Sequence, residues 1–429
     1  MKQADRGRWT ALVRRMAVLP AVCAALVTAV SLAPPAESVA LAGPPTVTAV
    51  QVQLPAGAEY GQLNSVDCPR SGWCEAGGTY TDSTGRTQAM VVTESAGHWG
   101  QATELTMPSG SPEDPFAYVN AVSSIACSAP RACVAVGEYG PEDAVHDFIV
   151  TQAHGTWGSI RQAVLPAHSP AGTPIDFTSV ACPAPGACVA VGDLGVRPVV
   201  VTEKSGRWER AQFLRPPAHA SQGLLLVHAV ACSRVGACVA VGDYTGSRNR
   251  GEAATVTESG GVWRQGAEVA LPRDAQSNPL AHLSSVTCTG RGSCVAVGSY
   301  LGALGYNRAM VVTESAGRWE PGRQISAEPE GAMANSVPRL NAVGCAQSAK
   351  CVAAGTYQKQ ADENLGMAVL GPARGWRRPV GILPPPNLAP PGGGLASVSC
   401  VRGGTCTVVG EYTDNSDREE PMAAAVEAS

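Results

Sequence analysis

The stretch Ser123–Tyr139, SSIACSAPRACVAVGEY, places two cysteines six positions apart and follows the second with Val-Ala-Val-Gly. It is one of seven copies of the same unit. The pairs are Cys68 with Cys74, Cys127 with Cys133, Cys182 with Cys188, Cys232 with Cys238, Cys288 with Cys294, Cys345 with Cys351, and Cys400 with Cys406. A unit that recurs with constant internal spacing indicates a repeat architecture, so this stretch decides the fold.

The period of the repeat indicates which architecture it builds. The first cysteines of successive pairs lie 59, 55, 50, 56, 57 and 55 residues apart. Each period holds four short segments rich in β-branched residues, as in LNSVDC, CVAVGEY, AMVVTES and WGSIRQAVLP, bounded by turn-forming residues. Seven units of four antiparallel strands predict an all-β, seven-bladed β-propeller. A linear β-solenoid, which normally uses shorter repeats, is the alternative.

The two ends of the chain suggest how the propeller closes. The last repeat stops after MAAAVEAS, before the fourth segment that other repeats possess. The N-terminal stretch TVTAVQVQLPAG contains Leu54-Pro55, and the fourth segments end in Leu-Pro or a similar pair. We therefore expect residues 46–54 to pair with residues 421–428 and complete the last blade. Such closure would leave no open sheet edge.

The first 42 residues predict export. Basic residues precede an apolar run from Met16 to Ala33, and the small-residue site Ala40-Leu41-Ala42 follows. This order is typical of a secretory signal peptide, with a retained membrane anchor as the alternative. We expect residues 43–429 to form a propeller that is secreted, without stable membrane insertion.

The cysteines indicate a disulfide framework. Of the 15 cysteines, 14 lie in the seven pairs, and an even count at one spacing in an exported chain indicates disulfides. Each bridge would join the end of a first strand to the start of a second across a tight turn. Metal binding normally needs four converging ligands, which seven dispersed pairs do not suggest. We expect no metal site.

Charge and motifs exclude several classes of partner. Residues 1–42 carry five Lys/Arg and two Asp/Glu, which leaves 26 basic and 33 acidic residues and a net charge of −7 in residues 43–429. This balance argues against nucleic acid and anionic membranes as partners. The sequence contains no cofactor fingerprint, so we expect no cofactor, and we expect a monomer.

The turn before the fourth segment carries a family resemblance. It reads Thr-Glu-x-x-Gly-x-Trp at Thr93–Trp99, Thr202–Trp208, Thr257–Trp263 and Thr313–Trp319, and Gln152 replaces the Glu at Thr151–Trp157. This turn loosely resembles the Asp-box of sialidase-type propellers, although the Asp is absent and the Gly-to-Trp spacing is shorter by one. The cysteine pattern resembles secreted bacterial β-propeller repeat proteins over nearly all of residues 43–429. The resemblance implies a fold and carries over no catalytic residue.

Loop variability indicates where a ligand would bind. In an up-and-down blade the cysteine turn and the Thr-Glu turn share one face, while the variable connections share the other, where binding residues tend to lie. Guanidinium groups in those loops could hold a carboxylate or phosphate, and aromatic rings could stack on a sugar or peptide; solvated loop charges and rim packing are the alternatives. The candidates are Arg86, Tyr118, Arg197, Arg248, Arg250, Tyr306 and Arg308.

Three hypotheses about function follow. The first is a secreted binding module that recognises a glycan or an extracellular protein through the variable face, favoured because no catalytic motif is embedded in the sequence. The second is a sialidase- or glycosidase-like hydrolase that uses two carboxylates around the central channel. The third is a structural protein of the cell envelope.

Overall fold

A computed structural model describes residues 46–108, 120–141, 144–170, 172–325, 329, 332, 338–347, 350–360, 363–371, 375–376, 379–385 and 392–428. The expected signal peptide, residues 1–42, lies outside these ranges. The described chain forms seven β-sheets, each built around three long consecutive antiparallel strands. The prediction of a seven-bladed propeller is confirmed.

The first four blades follow one another in chain order. Blade 1 comprises Ala58–Arg70, Trp73–Asp82, Thr87–Ser95, His98–Trp99 and Thr103–Glu104. Blade 2 comprises Ala121–Ala129, Ala132–Tyr139, His146–Ala153 and Thr156–Trp157. Blade 3 comprises Asp176–Ala184, Ala187–Leu194, Arg197–Lys204, Arg207–Trp208 and Gln212–Phe213. Blade 4 comprises Leu225–Arg234, Ala237–Thr245, Gly251–Ser259, Val262–Trp263 and Ala267–Glu268, and short 3₁₀ turns lie at Ser221–Gly223 and Ser247–Asn249.

The last three blades complete the disc. Blade 5 comprises His282–Gly290, Ser293–Leu301, Asn307–Ser315, Arg318–Trp319 and Arg323–Gln324. Blade 6 comprises Arg339–Gln347, Lys350–Gln360, Glu363–Gly371 and Pro379–Leu383. Blade 7 comprises Gly393–Cys400, Thr405–Thr413 and Glu419–Glu427. No helix in the described ranges is long and apolar enough to cross a bilayer.

The N-terminal segment closes the propeller, but it serves two blades. Val50–Gln51 pairs antiparallel with the third strand of blade 7, with Val50 opposite Ala423. Thr46–Thr48 instead pairs in parallel with Pro379–Leu383 of blade 6. The expected closure is therefore confirmed, with a shorter ladder to blade 7 than the predicted 46–54. Ala49 and Val52 are buried and anchor the segment.

All seven predicted disulfides are present, and their turns lie on one face of the disc. Within each pair the Cα atoms lie 3.9 to 4.1 Å apart. The cysteine turn is hydrogen-bonded to the Thr-Glu turn of the same blade. In blade 1, for example, the amide of Ala96 donates to the carbonyl of Gly72 at 2.9 Å, and blades 2 to 5 repeat this bond. We call this side the disulfide face and the opposite side the loop face.

The second cysteine of each bridge is buried in the hydrophobic core of the disc. In every blade this residue is at most 3% exposed, and each of the seven core clusters contains one of them. Their burial assigns them to the scaffold and not to a ligand-binding surface, as the interpretation of the pairs as structural bridges requires. These residues are Cys74, Cys133, Cys188, Cys238, Cys294, Cys351 and Cys406.

The first strands form the inner ring and contact one another around the central axis. Each carries a β-bulge one residue before a fixed position that is serine in five blades. That serine accepts a hydrogen bond from a backbone amide of the next blade at 3.0 to 3.2 Å. The bond from Val66 to Ser397 joins the last blade to the first. The serines are Ser65, Ser124, Ser179, Ser285 and Ser397, with Ala229 and Ala342 in blades 4 and 6.

The second strand of every blade carries a glycine four residues after its second cysteine, here called the invariant glycine, and the bulge explains it. A Cβ atom on Gly242 would overlap the carbonyl oxygen of Leu226 on the bulged first strand, and the glycine of each other blade faces a first-strand carbonyl in the same way. Glycine is required at this position because the two backbones approach too closely for a side chain.

One seam on the disulfide-face side holds a buried carboxylate. Glu75 of blade 1 is 1% exposed and accepts hydrogen bonds from the Thr93 hydroxyl at 2.8 Å and from the side-chain amide of Gln152 at 3.4 Å. Burial raises the pKa of Glu75 to about 7, and hydrogen bonds from Thr93, Trp157 and Gln152 oppose the rise. Gln152 stands where the Thr-Glu motif of other blades has glutamate. Glu75 therefore faces an amide instead of a second carboxylate.

Candidate functional site: the channel mouth on the loop face

In its last part each second strand carries a polar residue between the invariant glycine and the following Tyr or Leu. Because side chains alternate along a strand, this residue shares a face with the valines and projects toward the next blade. The Thr79 hydroxyl, for example, donates to the carbonyl of Asn120 in blade 2 at 3.1 Å. We call the seven residues the mouth ring; they are Thr79, Glu138, Asp193, Asp243, Ser299, Thr356 and Glu411.

The acidic part of the mouth ring spans blades 2 to 4. Asp193 is 7% exposed, and its Oδ2 accepts a hydrogen bond from the backbone amide of Val227 at 3.3 Å. Burial raises the pKa of Asp193 to about 7; Asp176 and Asp243 add to the rise, while the Val227 amide and His228 oppose it. Burial and the charge of Asp176 likewise raise the pKa of Glu138.

Two histidines border these carboxylates. Nε2 of His228 lies 2.6 Å from Oδ1 of Asp243. The rings of His228 and His282 lie 6.4 Å apart between centroids, and Nδ1 of His282 is 3.4 Å from the Ser299 hydroxyl. Burial lowers the pKa of His282, and the charges of His228 and Arg339 add to the lowering. Among the described residues no three His, Cys, Asp or Glu side chains converge as metal ligands.

A polar pocket of about 450 Å³ occupies the other side of the mouth, across blades 5 to 7. Strand register places Thr413 opposite Glu419, so Glu411, Thr413 and Glu419 project from one face of blade 7. Burial and the nearby charge of Glu419 raise the pKa of Glu411 to about 7. The pocket is lined by Asn307, Arg339, Thr356, Gln358, Asn364, Gly393, Glu411, Thr413 and Glu419.

The arrangement therefore offers two kinds of chemistry. Carboxylates accept hydrogen bonds, a guanidinium donates them, and amides and hydroxyls do both. The pair of carboxylates in blade 7, one with a raised pKa, also has the composition of a general acid–base pair.

The arginines predicted from the loops lie on the loop face, spread over blades 1, 3, 4 and 5, with Arg248 and Arg250 both in blade 4. Arg250 forms an ion pair with Glu252 at 3.2 Å, and Arg197 covers the Phe213 ring at 3.4 Å from its centroid. Both contacts stay within the arginine's own blade. Arg86, whose amide donates to Asp82, lies at the second hairpin of blade 1, and the exposed Arg248 lies in the 3₁₀ turn at Ser247–Asn249 of blade 4.

Two further predicted residues adjoin the polar pocket. Tyr306, which is 43% exposed, and Arg308 flank the pocket-lining Asn307 in sequence. Tyr118 lies outside the described residues. Binding by any of these residues remains a prediction.

Sequence reasoning did not find the mouth ring, although its signal lies within the repeat itself. The position after the invariant glycine is polar in all seven blades and acidic in four. The strand's alternation places this position on the apolar valine face, where a polar side chain needs a specific partner. That conflict was the available signal for a site.

Comparison with known proteins supports the assignment of the fold and does not assign a function. No protein family and no curated protein matches the chain. A structure of a polysaccharide lyase of family PL25, an ulvan lyase bound to -[GlcA(1-4)Rha3S]-, is 10% identical, covers 90% of this chain and 94% of its own, and gives a TM-score of 0.52. The Cps50 (Swd1) β-propeller domain of Myceliophteria thermophila is 10% identical, covers 89% and 100%, and gives 0.49. The Hadza microbial sialidase Hz136 is 11% identical, covers 81% and 75%, and gives 0.45. The shared feature is the propeller fold.

Proposed function

We propose that this protein is a secreted carbohydrate-binding propeller that holds its ligand at the channel mouth on the loop face. The observation that carries the proposal is the polar pocket of about 450 Å³, in which a guanidinium, amides, hydroxyls and two carboxylates converge from three blades. Sugar hydroxyl groups both donate and accept hydrogen bonds, so a mixed lining of this kind matches them.

Two further features support the proposal. Seven disulfides fit an oxidising compartment, and with the N-terminal signal sequence they favour secretion. The ulvan lyase, whose structure resembles this one, is bound to the saccharide -[GlcA(1-4)Rha3S]-. A protein ligand fits less well, because protein interfaces normally need an apolar centre, and this pocket is lined largely by polar side chains.

The test is retention of oxidised residues 43–429 on a panel of immobilised glycans and cell-wall polymers. Arg339→Gln and Asn364→Ala each remove hydrogen bonds to the ligand, so each should weaken retention by about 10-fold. Arg291→Gln, an exposed change on the disulfide face, is the matched control and should leave retention unchanged. Retention that is absent on every glycan, or equal in all three variants, would refute the assignment.

The pair Glu411 and Glu419 supports a second candidate, a glycoside hydrolase. A carboxyl with a pKa near 7 can donate a proton to a leaving glycosidic oxygen, and Glu419 beside it supplies the second carboxyl group that such a hydrolase needs. Mass spectrometry of the retained glycans tests this candidate. Hydrolysis should add one water to the products and should disappear in Glu411→Gln. Unchanged glycan masses would refute the hydrolase and leave carbohydrate binding as the proposed function.

A further inference from the structure

Blades 1 to 5 share a short piece of strand that the described part of blade 7 does not have. In those blades a two-residue strand ending in tryptophan pairs with the last part of the third strand, as Trp99 does with Glu94. The amide after the tryptophan then donates to the carbonyl of the third-strand threonine, in blade 1 from Gly100 to Thr93 at 3.0 Å. In the described part of blade 7 no strand takes this place.

The edge of blade 7 is open because the N-terminal segment turns away from it. Val50–Gln51 pairs with the third strand of blade 7, whereas Thr46–Thr48 runs beside Pro379–Leu383 of blade 6. On this side of the third strand, residues 424–427 therefore pair with no other strand of the described chain. An unpaired strand edge is a template for pairing with another chain.

A groove of about 460 Å³ lies along this edge, on the disulfide-face side of the disc. It is lined by Thr48 and Val50 of the N-terminal segment, by Ala425 of the open edge, and by Gly97 and Trp99 of blade 1. Val50 is 53% exposed, and Ala425 is exposed as well. The groove thus offers apolar side chains beside an unpaired strand, which are the two components of a strand-addition site.

The backbone of Ala425 is oriented for such pairing. The carbonyl of Pro421 accepts from the Val52 amide at 2.9 Å, so it points out of the sheet toward the N-terminal segment. Backbone groups alternate in direction along a strand, so those of Ala425, four residues further on, point the same way. Ala425 corresponds to Thr93 of blade 1, because both lie opposite the residue that follows the second cysteine.

The neighbouring residue Val426 indicates the side chain that a guest strand would bring. At the corresponding position blades 1, 3, 4 and 5 carry a buried glutamate opposite the tryptophan, and in blade 1 Glu94 accepts a hydrogen bond from the Gly97 amide of the turn. Blade 7 has the buried Val426 instead, and the partly buried Val47 and Leu370 pack against the same core cluster. A valine suits an aromatic side chain on a strand that arrives without the turn.

We propose that this edge binds a short extended segment of a partner protein, which adds a strand to blade 7 and places an aromatic side chain opposite Val426. The added strand continues the ladder that Val50 forms with Ala423. A second folded copy of this chain is a poorer partner, because the described tryptophan strands of blades 1 to 5 are already paired within their own sheets. The inference does not depend on glycan binding, since the groove and the polar pocket lie on opposite faces of the disc.

The test uses a fluorescein-labelled peptide, AGRWEPG, which reproduces residues 316–322 of blade 5. Fluorescence polarisation measures its binding to oxidised residues 43–429. The same peptide with alanine in place of tryptophan should bind at least about 10-fold more weakly, because it loses the burial of an aromatic ring. Ala425→Pro should abolish binding, since proline removes the outward N–H; an edge strand tolerates it, as Pro421 of the same strand does. The exposed Arg291→Gln, also on the disulfide face, should leave binding unchanged.

A second variant keeps the test independent of the folding of Ala425→Pro. Replacement of Ser429 by Gly-Arg-Trp-Glu-Pro supplies the strand within the chain, with the spacing that follows Ala316 in blade 5. This extension should compete with the free peptide and weaken its binding at least about 10-fold. The extension with alanine in place of tryptophan should compete much less.

The outcomes decide the proposal. Binding that requires the tryptophan and is blocked by the extension supports it. Equal binding of the two peptides, binding that survives both protein changes, or no binding at about 1 mM peptide overturns it. A dimer of residues 43–429 in sedimentation, lost on addition of the extension, would assign the edge to a second copy and overturn the partner segment. Each of these results leaves carbohydrate binding at the loop face to its own test.

Discussion

Replacement of Glu75 by glutamine should stabilise the protein, and increasingly so as pH rises. The carboxyl is enclosed between blades 1 and 2, where Thr93 and Gln152 donate to its two oxygens. Burial raises its pKa from 4.5 to about 7. Glutamine has nearly the same shape, and its amide group can donate to the Thr93 hydroxyl while its oxygen accepts from Gln152.

The sign and size follow from proton linkage. Below pH 4.5 the carboxyl is protonated in the folded and unfolded states, so its ionisation affects stability little. Between pH 4.5 and 7 the folded state binds more protons than the unfolded state, and the free energy of unfolding falls as pH rises. The rise of the Glu75 pKa from 4.5 to about 7 lowers the free energy of unfolding by about 3 kcal/mol at pH 8. Glutamine avoids this penalty but loses one acceptor, so the net gain should be about 1–2 kcal/mol.

Differential scanning calorimetry at pH 5 and pH 8 measures the effect. For a chain of this size the gain corresponds to a Tm about 1–2.5 °C above wild type at pH 8, with a much smaller difference at pH 5. Glu209→Gln is the matched control, because Glu209 lies at the surface beside Lys204 and should show little pH-dependent difference. A Tm difference for Glu75→Gln that stays constant or shrinks toward pH 8 would refute the reasoning.

Three more predictions concern the scaffold. Ser397→Ala leaves the Val66 amide at the closing seam without its acceptor and should lower stability by about 1–3 kcal/mol in calorimetry, whereas the exposed Ser416→Ala should change it by less than about 0.5. Gly242→Ala forces a Cβ into the Leu226 carbonyl and should lower the urea midpoint or the soluble yield, whereas Gly403→Ala, which meets open space, should do neither. Reduction of the disulfides removes about 2 kcal/mol for each short loop and should lower Tm by at least about 10 °C; an unchanged Tm would show that the bridges do not constrain the chain.

The fold could be predicted because each repeat carries the same local sequence pattern. Cysteine spacing, turn residues and strand alternation agree in all seven units, so errors in one unit are corrected by the others. The path of the N-terminal segment was predicted less completely. Pairing of Thr46–Thr48 with blade 6 is parallel and non-local, and no turn or spacing in the sequence specifies such a contact.

The candidate site was harder to predict because its residues lie at a fixed position in a regular strand, whereas binding residues were expected in the variable loops. Variable loops directed attention to Arg197 and Arg250, which contact Phe213 and Glu252 within their own blades. The mouth ring instead lies inside the most regular segment of the repeat, where a constant place holds a changing polar residue. In a closed propeller the same position recurs once in every blade around the disc, so variation at that position changes the chemistry of the loop face without changing the scaffold. The invariant glycine beside it keeps the backbone fixed, which allows the mouth-ring residue to differ between blades at little structural cost.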